Sequence, residues 1–562
     1  MHKIKRKSKP TPKSKSKKSK QKNKTQAITL TKKEKQALKR QQTKERKELV
    51  STLIPTLIAA FAIGAGISLK NSKLGIAAGG GLLLLILSFK YPRQALWMFL
   101  MYLPISGTIT YAIGGGNAAF QFAKDAFYFP ALFSFVQNLR RDKLPLVMSK
   151  KLITPLAILL GVCLLTMLFV NGYQQIFPQS IPIFDPYATS RPTERPIIMG
   201  ILGLKILLGY IPLITCGYYL IRSKKEFLFL TRMHVVLAIV ACGLGLLQYL
   251  LLAKGTCVGT RMMEGQDLYK PSLSARCLVG GSVAFSSYMT RLPGTFVSPW
   301  HWAWFLISNT FFTFASAFSD PSFLWQLASF SSLALILINA VVSGQRIALI
   351  AVPIIIVILL ILTGQIANLK RFLPIASGIG ILATIGLVMF PTVVEERIKS
   401  LVDRWNASPP DQFIASQVQF TVEGQAGLLG KGLGRATNSA RTLGQTKLIE
   451  TWFPKLLFEI GPVGLIGFLI FVTALTWACF KAYRSLKERH LRSFGACFWV
   501  FVLFVSYNPY WYPLDTDPVA VYYWFFAGVI LKLPELDRQE QEELLPSSEK
   551  SLFLPKKKRF SG

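Results

Sequence analysis

The segment LLGKGLGRATNSARTLGQTKLIETWFPKLLFEIGPVGLIGFLIF, residues 428–471, passes from a polar, glycine-rich half into a long apolar half. The polar half carries spaced glycines and cations and ends in a single carboxylate; these residues are Gly430, Gly432, Gly434, Arg435, Arg441 and Glu450. Because a charge is expensive to place in hydrocarbon, such groups either lie in water at a membrane rim or form a binding site. This junction of polar loop and apolar helix recurs along the chain and decides its fold class.

Apolar runs dominate the composition of the 562-residue chain, which is 51% hydrophobic and only 16% charged. The sequence predicts an all-α polytopic membrane protein with about 14 transmembrane helices (roughly 12–14), because about 20 apolar residues are needed to cross the hydrocarbon of a bilayer. The predicted spans are residues 51–69, 74–89, 95–113, 119–137, 152–171, 197–220, 233–253, 301–318, 324–342, 347–364, 372–390, 455–479, 493–508 and 518–532.

Short loops rich in Lys and Arg alternate along this threading, as at 90–93, 140–143, 222–226 and 481–492. Cytoplasmic loops of membrane proteins carry an excess of such cations, so we expect these loops and both termini to be cytoplasmic. The transmembrane domain then covers residues 49–533, followed by a cytoplasmic tail at 534–562. Three long loops face the opposite, extracytoplasmic side, at residues 172–196, 254–300 and 391–454.

The formal net charge of +38 is unevenly distributed, because residues 1–48 contain 20 Lys and Arg residues against 3 acidic ones. This tail has no apolar periodicity, which predicts a disordered basic cytoplasmic segment. A basic helix is the alternative for LTKKEKQALKRQQTKERKEL, residues 30–49. We expect the tail to lie on anionic membrane lipids and not to bind nucleic acid.

The loop at 391–454 is predicted to contain short amphipathic helices. Its first helix, over 393–405, places apolar residues on one face at helical spacing, namely Val394, Ile398, Leu401, Val402 and Trp405. Such a face suits a helix lying on a membrane surface or one covering a cavity. A second mixed helix is predicted over 411–423.

The glycine run of the opening segment does not fit a nucleotide-binding motif. A Walker loop needs G-x-x-x-x-G-K-[ST], but here Gly432 follows Lys431, and a dinucleotide fingerprint needs G-x-G-x-x-G within a βαβ unit. Two interpretations remain. Backbone N–H groups near Gly432 and Gly434 bind an anion beside Arg435 and Arg441, or the run is a plain flexible turn.

Four side chains are candidates for chemistry at the outer ends of helices. Arg346 and Arg291 each precede a span, where an arginine either snorkels to the interface or grips phosphate oxygens through its planar fork. Glu450 is a candidate general base, and His301 is the alternative base. Glu459 is predicted to form a structural hydrogen bond to a neighbouring helix.

The cysteines and the charged residues within the predicted spans have simpler predicted roles. Lys124 and Asp125 are predicted to form an internal ion pair, and Lys205 to meet an acid or a lipid-linked phosphate. Cys257 and Cys277 lie in one polar loop, where a disulfide or two free thiols are both open. The remaining five cysteines fall in apolar spans, where an inert buried thiol is expected.

Three landmarks, in this order, resemble the O-antigen ligase and polymerase family of bacterial membrane glycosyltransferases. RLPGTFVSPWHWA (291–303) is similar to the R-x-x-G-T-F…P segment of the family, and SGQRIAL (343–349) to its S-R-G-A-type motif. GLLGKGLG (427–434) followed by ETWFPKLLFEIGPVGLIGFLIF (450–471) is similar to the outer-loop G-x-G and the signature that opens the next helix. The resemblance covers about residues 95–530.

The resemblance implies a GT-C-like fold and transfer of glycan repeat units from a polyprenyl diphosphate carrier, such as undecaprenyl diphosphate, to an acceptor glycan. The reaction would serve cell-surface or exopolysaccharide synthesis at the outer face of the bacterial plasma membrane. No metal and no cofactor are expected. Arg346 and Arg291 would clamp the diphosphate, with Arg435 or Arg441. Expected partners are the lipid-linked oligosaccharide and other polysaccharide export components.

One departure from the family pattern bears on the reaction. Ligases carry His-Asn nine residues before the Glu of the E-x-G element, whereas counting back nine residues from Glu459 gives Glu450-Thr451. An acid at this position favours a repeat-unit polymerase over a ligase. A solute or ion transporter is the alternative from another class; it would need a polar path near mid-membrane, where Lys124, Asp125 and Lys205 lie.

Overall fold

The structure, a computed structural model, describes residues 32–147, 149–177, 194–263, 272–286, 289–365, 377–378, 391–424 and 427–544. The α-helices before the hairpin are α1 (Lys32–Ser68), α2 (Ser72–Lys90), α3 (Pro92–Tyr102), α4 (Ser106–Thr108), α5 (Ala123–Arg141), α6 (Ile153–Thr166), α7 (Gly172–Ile176), α8 (Pro196–Leu208), α9 (Leu213–Leu220) and α10 (Lys224–Ala253). An antiparallel hairpin of β1 (Ala284–Ser286) and β2 (Met289–Arg291) follows. The later helices are α11 (Pro299–Ser319), α12 (Phe323–Val342), α13 (Arg346–Leu362), α14 (Pro391–Ala407), α15 (Pro410–Glu423), α16 (Trp452–Arg484), α17 (Arg489–Ser506) and α18 (Val519–Leu544).

Nine helical segments of the described residues are long and apolar enough to cross a membrane, which makes the chain a multi-pass membrane protein by length and composition. They are Val50–Ser68, Ser72–Lys90, Pro92–Ile113, Lys150–Ile176, Pro196–Leu220, Lys224–Ala253, Phe323–Val342, Trp452–Arg484 and Val519–Glu542. Each overlaps a predicted span.

The other predicted spans do not correspond to any of these nine segments. Helices α5, α11 and α17 occupy predicted positions but are not among these nine segments, and α13 is apolar yet has only 17 residues. The span predicted over 372–390 lies outside the described residues, apart from 377–378. The count of fourteen therefore stays a prediction.

Helix α1 begins at Lys32 and continues without interruption to Ser68. Its first half is rich in Lys, Gln and Glu, which favour the helical conformation, and its second half is the first apolar segment. Residues 32–48, predicted to be disordered as part of the basic tail, are thus helical, in the stretch for which a basic helix was the alternative. The boundary between the two compact units of the chain falls inside α1, between Ile58 and Ala59.

Helix α11 is the central helix of the fold, since every residue from Trp302 to Ser319 is buried. A helix buried on all sides must satisfy its own polar side chains. The hydroxyl groups of Ser308 and Thr310 therefore donate back to the carbonyls of Trp304 and Leu306, each at 2.8 Å. This central position places the N-terminal end of α11 beside the functional site.

Helix α16 is broken at Gly461, whose φ of 70° and ψ of −178° are not helical. The next residue, Pro462, has no N–H to donate to the carbonyl of the preceding turn. The carbonyls freed at this break belong to Phe458 and Glu459, and they accept hydrogen bonds from the N–H groups of Lys431 (2.8 Å) and Gly432 (3.1 Å). The glycine run is thus anchored to the break in α16.

The Glu459 side chain reinforces this anchor. It is almost fully buried, and its Oε1 accepts hydrogen bonds from the Ala436 N–H (2.8 Å) and the Thr437 hydroxyl (3.0 Å). The predicted structural hydrogen bond is therefore present. Its partner is the glycine-rich loop and not a neighbouring helix, because the break brings that loop against α16.

The loop at 507–518 is held by two ion pairs. Lys455 in the first turn of α16 pairs with Asp515, and Lys124 of α5 pairs with Asp517. The predicted pair between Lys124 and Asp125 is wrong, because adjacent residues on a helix point in different directions. Asp125 instead accepts a hydrogen bond from Lys205 at 2.6 Å, so Lys205 meets an acid, one of its two predicted partners.

The cysteines follow the sequence-based expectations. Cys257 and Cys277 form a disulfide with their Cα atoms 5.5 Å apart, which closes the loop after α10. The other five cysteines are free and buried.

Replacing Lys455 with Met tests the importance of the ion pair with Asp515. The Lys455 side chain is only 2% exposed, so its loss leaves the Asp515 carboxylate buried without a counter-charge. Removing one partner of a buried pair destabilises a protein by about 3–5 kcal/mol. We expect a clear fall in the thermal unfolding midpoint of the detergent-solubilised protein, and partial recovery in the Lys455→Met, Asp515→Leu double variant. An unchanged midpoint in the single variant would contradict this assignment.

Candidate functional site

A cavity of about 730 Å³ lies between β2, the start of α13, helices α14 and α15, and the loop at 507–518. Its charged lining consists of Arg291, Arg346, Arg397, Arg404 and Glu450. Its aromatic lining consists of Trp300, Trp405, Phe413, Tyr510 and Trp511. We term this cavity the cationic pocket, because four guanidinium groups and one carboxylate give its lining a formal net charge of +3.

Arg291 and Arg346 meet in the pocket because β2 lies directly on the turn before α13. The N–H of Leu292 donates to the carbonyl of Ser343 at 3.0 Å. Gly344 adopts a φ of 69°, and a Cβ at this position would lie 1.6 Å from the Thr290 carbonyl oxygen. Only glycine permits both the left-handed backbone and the close approach of the two segments. The glycine of the SGQR sequence therefore brings the two predicted arginines together.

The Arg346 guanidinium is held by helix α14. Its Nε and one terminal nitrogen donate to the Ser400 hydroxyl at 3.1 and 3.0 Å. The charges of Arg291 and Arg404 act on it from nearby. No carboxylate of the described residues forms an ion pair with Arg346, so its nearest hydrogen-bond partner is an uncharged group that an anion can replace.

Helix α14 turns a mixed face toward the pocket, because two residues of its predicted apolar face line the cavity beside polar ones. Arg397, Ser400 and Arg404 lie at i, i+3 and i+7 and line the cavity. Ile398 and Val402, on the predicted apolar face, are 56% and 49% exposed. The helix thus covers the cavity, one of its two predicted roles. The apolar positions of α14 alone do not reveal the two arginines, although the spacing of Arg397 and Arg404 places both on one face of the helix.

Glu450 lies at the exposed rim of the same pocket. Its backbone N–H donates to the Gln417 side chain of α15 at 2.9 Å. Among the described residues its carboxylate has no ion-pair partner. Glu450 is therefore placed to contact a molecule that enters the pocket from solvent.

The aromatic wall is built by α15 and the loop at 507–518. The rings of Phe413 and Tyr510 lie 5.2 Å apart, and the Arg404 guanidinium lies 5.9 Å from the Phe413 ring centre. Burial raises the pKa of the Tyr510 phenol, although Arg404 opposes the shift, so this hydroxyl stays a neutral hydrogen-bonding group. Trp511 adopts a φ of 65°, a conformation that bulky residues rarely take outside functional or strained sites. Its carbonyl accepts the Trp452 N–H at 2.9 Å, which ties the wall to α16.

Arg435, a predicted diphosphate ligand, lies outside the cationic pocket. Its two terminal nitrogens each donate to one carboxylate oxygen of Glu194, both at 3.0 Å, and Gln174 accepts further hydrogen bonds. Burial opposes ionisation of Glu194, but the Arg435 fork and the Gln445 backbone together hold the pKa of this carboxyl below its usual range. Arg435 lines a separate cavity of about 330 Å³, and its charge is already neutralised.

Gly432 and Gly434, predicted to bind substrate, have a packing role. The Gly432 N–H donates to the Glu459 carbonyl and is therefore not available to an anion. A Cβ at Gly434, whose φ is 83°, would lie 2.1 Å from the carbonyl oxygen of Met199. The run neither lines the pocket nor forms a flexible turn, because it packs between α8 and the break in α16.

His301 and Arg441 also lie outside the cationic pocket. Trp300 lines the pocket, but the next residue on the helix points elsewhere, and His301 interacts electrostatically with Lys124 and Asp517. Arg441 is exposed on the loop before Glu450. Of the predicted site residues, the structure gathers Arg291, Arg346 and Glu450 in one cavity and separates the rest from it.

Replacing Gly344 with Ala tests the contact that brings Arg291 and Arg346 together. Gly364 is the matched control, because its φ of 68° equals that of Gly344 within a degree, while no atom of the described residues would lie within 4 Å of a Cβ added there. Both alanine variants should lose about 1–2 kcal/mol through the left-handed backbone. Gly344→Ala should lose about 1–3 kcal/mol more through the collision with Thr290. Equal unfolding midpoints for the two variants in detergent would argue against this contact.

Comparison with known proteins assigns no family to the chain. No protein-family model matches it, and no curated protein matches it in sequence. A functional assignment therefore depends on the cationic pocket itself, with its clustered guanidinium groups, its rim carboxylate and its aromatic wall.

Proposed function

We propose that the protein transfers glycan repeat units from a polyprenyl diphosphate carrier to an acceptor glycan during cell-surface or secreted polysaccharide synthesis. The observation that carries this proposal is the convergence of Arg291, Arg346 and Glu450 on one cavity. These residues come from three separate segments of the chain. Arg346 and Arg291 are also the arginines at the two family-like motifs, and Glu450 is the candidate general base of the sequence.

The charge of the pocket suits a diphosphate leaving group. A guanidinium donates two parallel hydrogen bonds to phosphate oxygens and keeps its charge at all physiological pH values. Arg346 and Arg291 would hold the diphosphate and stabilise the negative charge that develops as the glycosidic bond breaks. Preorganised charge of this kind is commonly the largest contribution to catalysis.

Glu450, the carboxylate at the rim of the cationic pocket, supplies the base that complements the arginines. Glu450 would accept the proton of an acceptor hydroxyl, whose oxygen attacks the anomeric carbon of the carrier-linked sugar from the face opposite the diphosphate. The new glycosidic bond forms as the bond from the anomeric carbon to the phosphate oxygen breaks. The electron pair leaves with the diphosphate, and the configuration at the anomeric carbon is inverted.

The proposal also covers the fold, the number of membrane spans, the membrane and the orientation of the chain. We infer a GT-C-like membrane protein of fourteen spans in the bacterial plasma membrane, with both termini cytoplasmic and the pocket extracytoplasmic. The disulfide between Cys257 and Cys277 supports an oxidising environment for the loop that leads to β1. The exposed Ile398 and Val402 of α14 suit the lipid interface at which a polyprenyl tail would lie.

Transport of a solute or an ion receives less support than glycan transfer. The intramembrane residues Lys124, Asp125 and Lys205 are all engaged in ion pairs, so they serve helix packing and offer no open polar path. An O-antigen-type ligase of the same family would use the same pocket. The product pattern separates the two reactions, because a polymerase yields a ladder of increasing length and a ligase a single addition.

Arg346→Lys tests the bidentate grip with purified protein and a lipid-linked oligosaccharide. The variant keeps the positive charge but loses the planar fork, and we expect most of the polymer ladder to disappear. Arg346→Gln should reduce the rate by about 10²–10³, as does removal of one preorganised donor elsewhere. Arg441→Lys is the matched control, since Arg441 lies outside the pocket, and it should leave the ladder unchanged. Unaltered length and yield in Arg346→Lys would refute the proposed grip.

Glu450→Gln tests the rim carboxylate in the same assay. Loss of a general base lowers a rate by about 10²–10⁴, while binding of the lipid-linked substrate should persist because the arginines remain. The readouts are the initial rate of ladder formation and the affinity for the carrier. A normal ladder from this variant would remove Glu450 from the mechanism.

A further inference from the structure

Four aromatic rings form a continuous surface along one side of the cationic pocket. The ring of Tyr510 lies 5.2 Å from that of Phe413 and 3.8 Å from that of Trp511. The ring of Trp511 lies 5.8 Å from that of Trp300. All four residues line the cavity, and each is only partly buried. A molecule in the pocket therefore meets a row of accessible rings, which we term the four-ring surface.

Tyr510 adds a polar group to the four-ring surface. Its backbone N–H donates to the Asn508 side chain at 3.0 Å, which helps to fix the loop. Its hydroxyl group, by contrast, forms no hydrogen bond with the residues that the structure describes. A phenol hydroxyl both donates and accepts hydrogen bonds. Tyr510 can therefore make a polar contact with a bound molecule.

The charged groups of the pocket lie close to this phenol. The charges of Arg346, Arg404 and Glu450 all act on it, and Tyr510 acts in turn on Arg346. Glu450 also acts on Tyr512 of the same loop. A molecule in contact with Tyr510 thus lies near both the proposed base and the proposed diphosphate clamp.

This mixture of rings and polar groups suits a sugar ring better than an isoprenoid chain. The faces of a sugar ring present C–H groups, which pack against the electron-rich face of an aromatic ring. The hydroxyl groups at its edge need hydrogen-bond partners when they leave water, and Tyr510 and Glu450 offer them. A polyprenyl tail on the same rings would cover the Tyr510 hydroxyl without giving it a partner, which costs free energy.

We propose that the four-ring surface, centred on Tyr510, is the binding subsite of the acceptor glycan. The acceptor sugar packs on the rings, and the Tyr510 hydroxyl forms a hydrogen bond that turns the attacking hydroxyl of the sugar toward Glu450. Tyr510 orients the acceptor, while the proton of the attacking hydroxyl passes to Glu450. The role of the bound sugar as an acceptor rests on the proposed function, but its binding can be tested without the reaction.

The binding test uses the full chain in a detergent that has no sugar headgroup. The probe for isothermal titration is a set of oligosaccharides released by mild acid from the surface polysaccharide of the organism that produces the protein. Tyr510→Phe should weaken their binding about two- to tenfold, the usual effect of losing one uncharged hydrogen bond. Phe413→Leu keeps an apolar side chain but removes a ring face, so it should also weaken binding.

Tyr507→Phe is the matched control for Tyr510→Phe. Tyr507 lies on the same loop but does not line the cationic pocket, and its hydroxyl donates to the Thr473 hydroxyl at 2.8 Å. The control removes the same atom from the same residue type, and it should bind the oligosaccharides as the parent does. Equal weakening by the two variants would overturn the inference.

Kinetics and stability separate a binding residue from a structural one. In the polymerisation assay, Tyr510→Phe should raise the KM for the acceptor oligosaccharide and leave the KM for the lipid-linked donor unchanged. Its unfolding midpoint should equal that of the parent, because the removed hydroxyl has no partner in the described part of the chain. A lower midpoint with equal changes in both KM values would indicate a structural role and contradict the inference.

Farnesyl diphosphate tests the rival occupant, the lipid tail. Phe413→Leu should bind it as the parent does; weaker binding of farnesyl diphosphate with unchanged binding of the oligosaccharides would assign the rings to the tail and overturn the inference. A parent that binds none of the oligosaccharides would overturn it too. Absence of glycan transfer by the parent would overturn the proposed function, whereas oligosaccharide binding that depends on Tyr510 would still stand.

Discussion

The architecture depends on the carbonyl groups that are freed where α16 breaks at Gly461 and Pro462. In a bilayer every backbone polar group needs a partner within the protein, because lipid offers none. The glycine-rich loop supplies the N–H groups of Lys431 and Gly432, and the loop is thereby fixed against the helix. This fixation determines where the chain re-enters α16 and so where Glu450 stands. A break of this kind would weaken an isolated helix. Here it joins the polar, glycine-rich loop to a helix long and apolar enough to cross a membrane.

The second constraint is the mutual repulsion of like charges collected in one cavity. Arg291 comes from β2, Arg346 from the start of α13, and Arg397 and Arg404 from α14. Holding them close is unfavourable without an anion, and the fold offsets this through rigid contacts such as the approach of Gly344 to β2. The aromatic wall and α14 exclude part of the solvent, which strengthens each charge–charge interaction. The pocket is thus preorganised for negative charge, as efficient anion sites are.

The sequence predicts the positions of the helices well, because a long apolar run has few alternatives to a helix in water or lipid. It also identifies Arg346 as a candidate site residue, because that residue stands between two predicted spans. Prediction from the sequence fails where the partner of a side chain comes from a distant segment of the chain. Arg435 was predicted to hold a diphosphate, but a carboxylate from another loop neutralises it. Lys124 was paired with its neighbour in sequence, Asp125, whereas helical geometry turns adjacent side chains apart. Arg397 was missed because only the apolar positions of α14 were considered, although its spacing from Arg404 places both arginines on one face.

The cations of the pocket are all guanidinium groups, with no lysine or histidine among the lining residues that the structure describes. Guanidinium groups stay ionised across the whole physiological range. The guanidinium-lined part of the cavity consequently keeps its positive charge in acidic and alkaline surroundings alike.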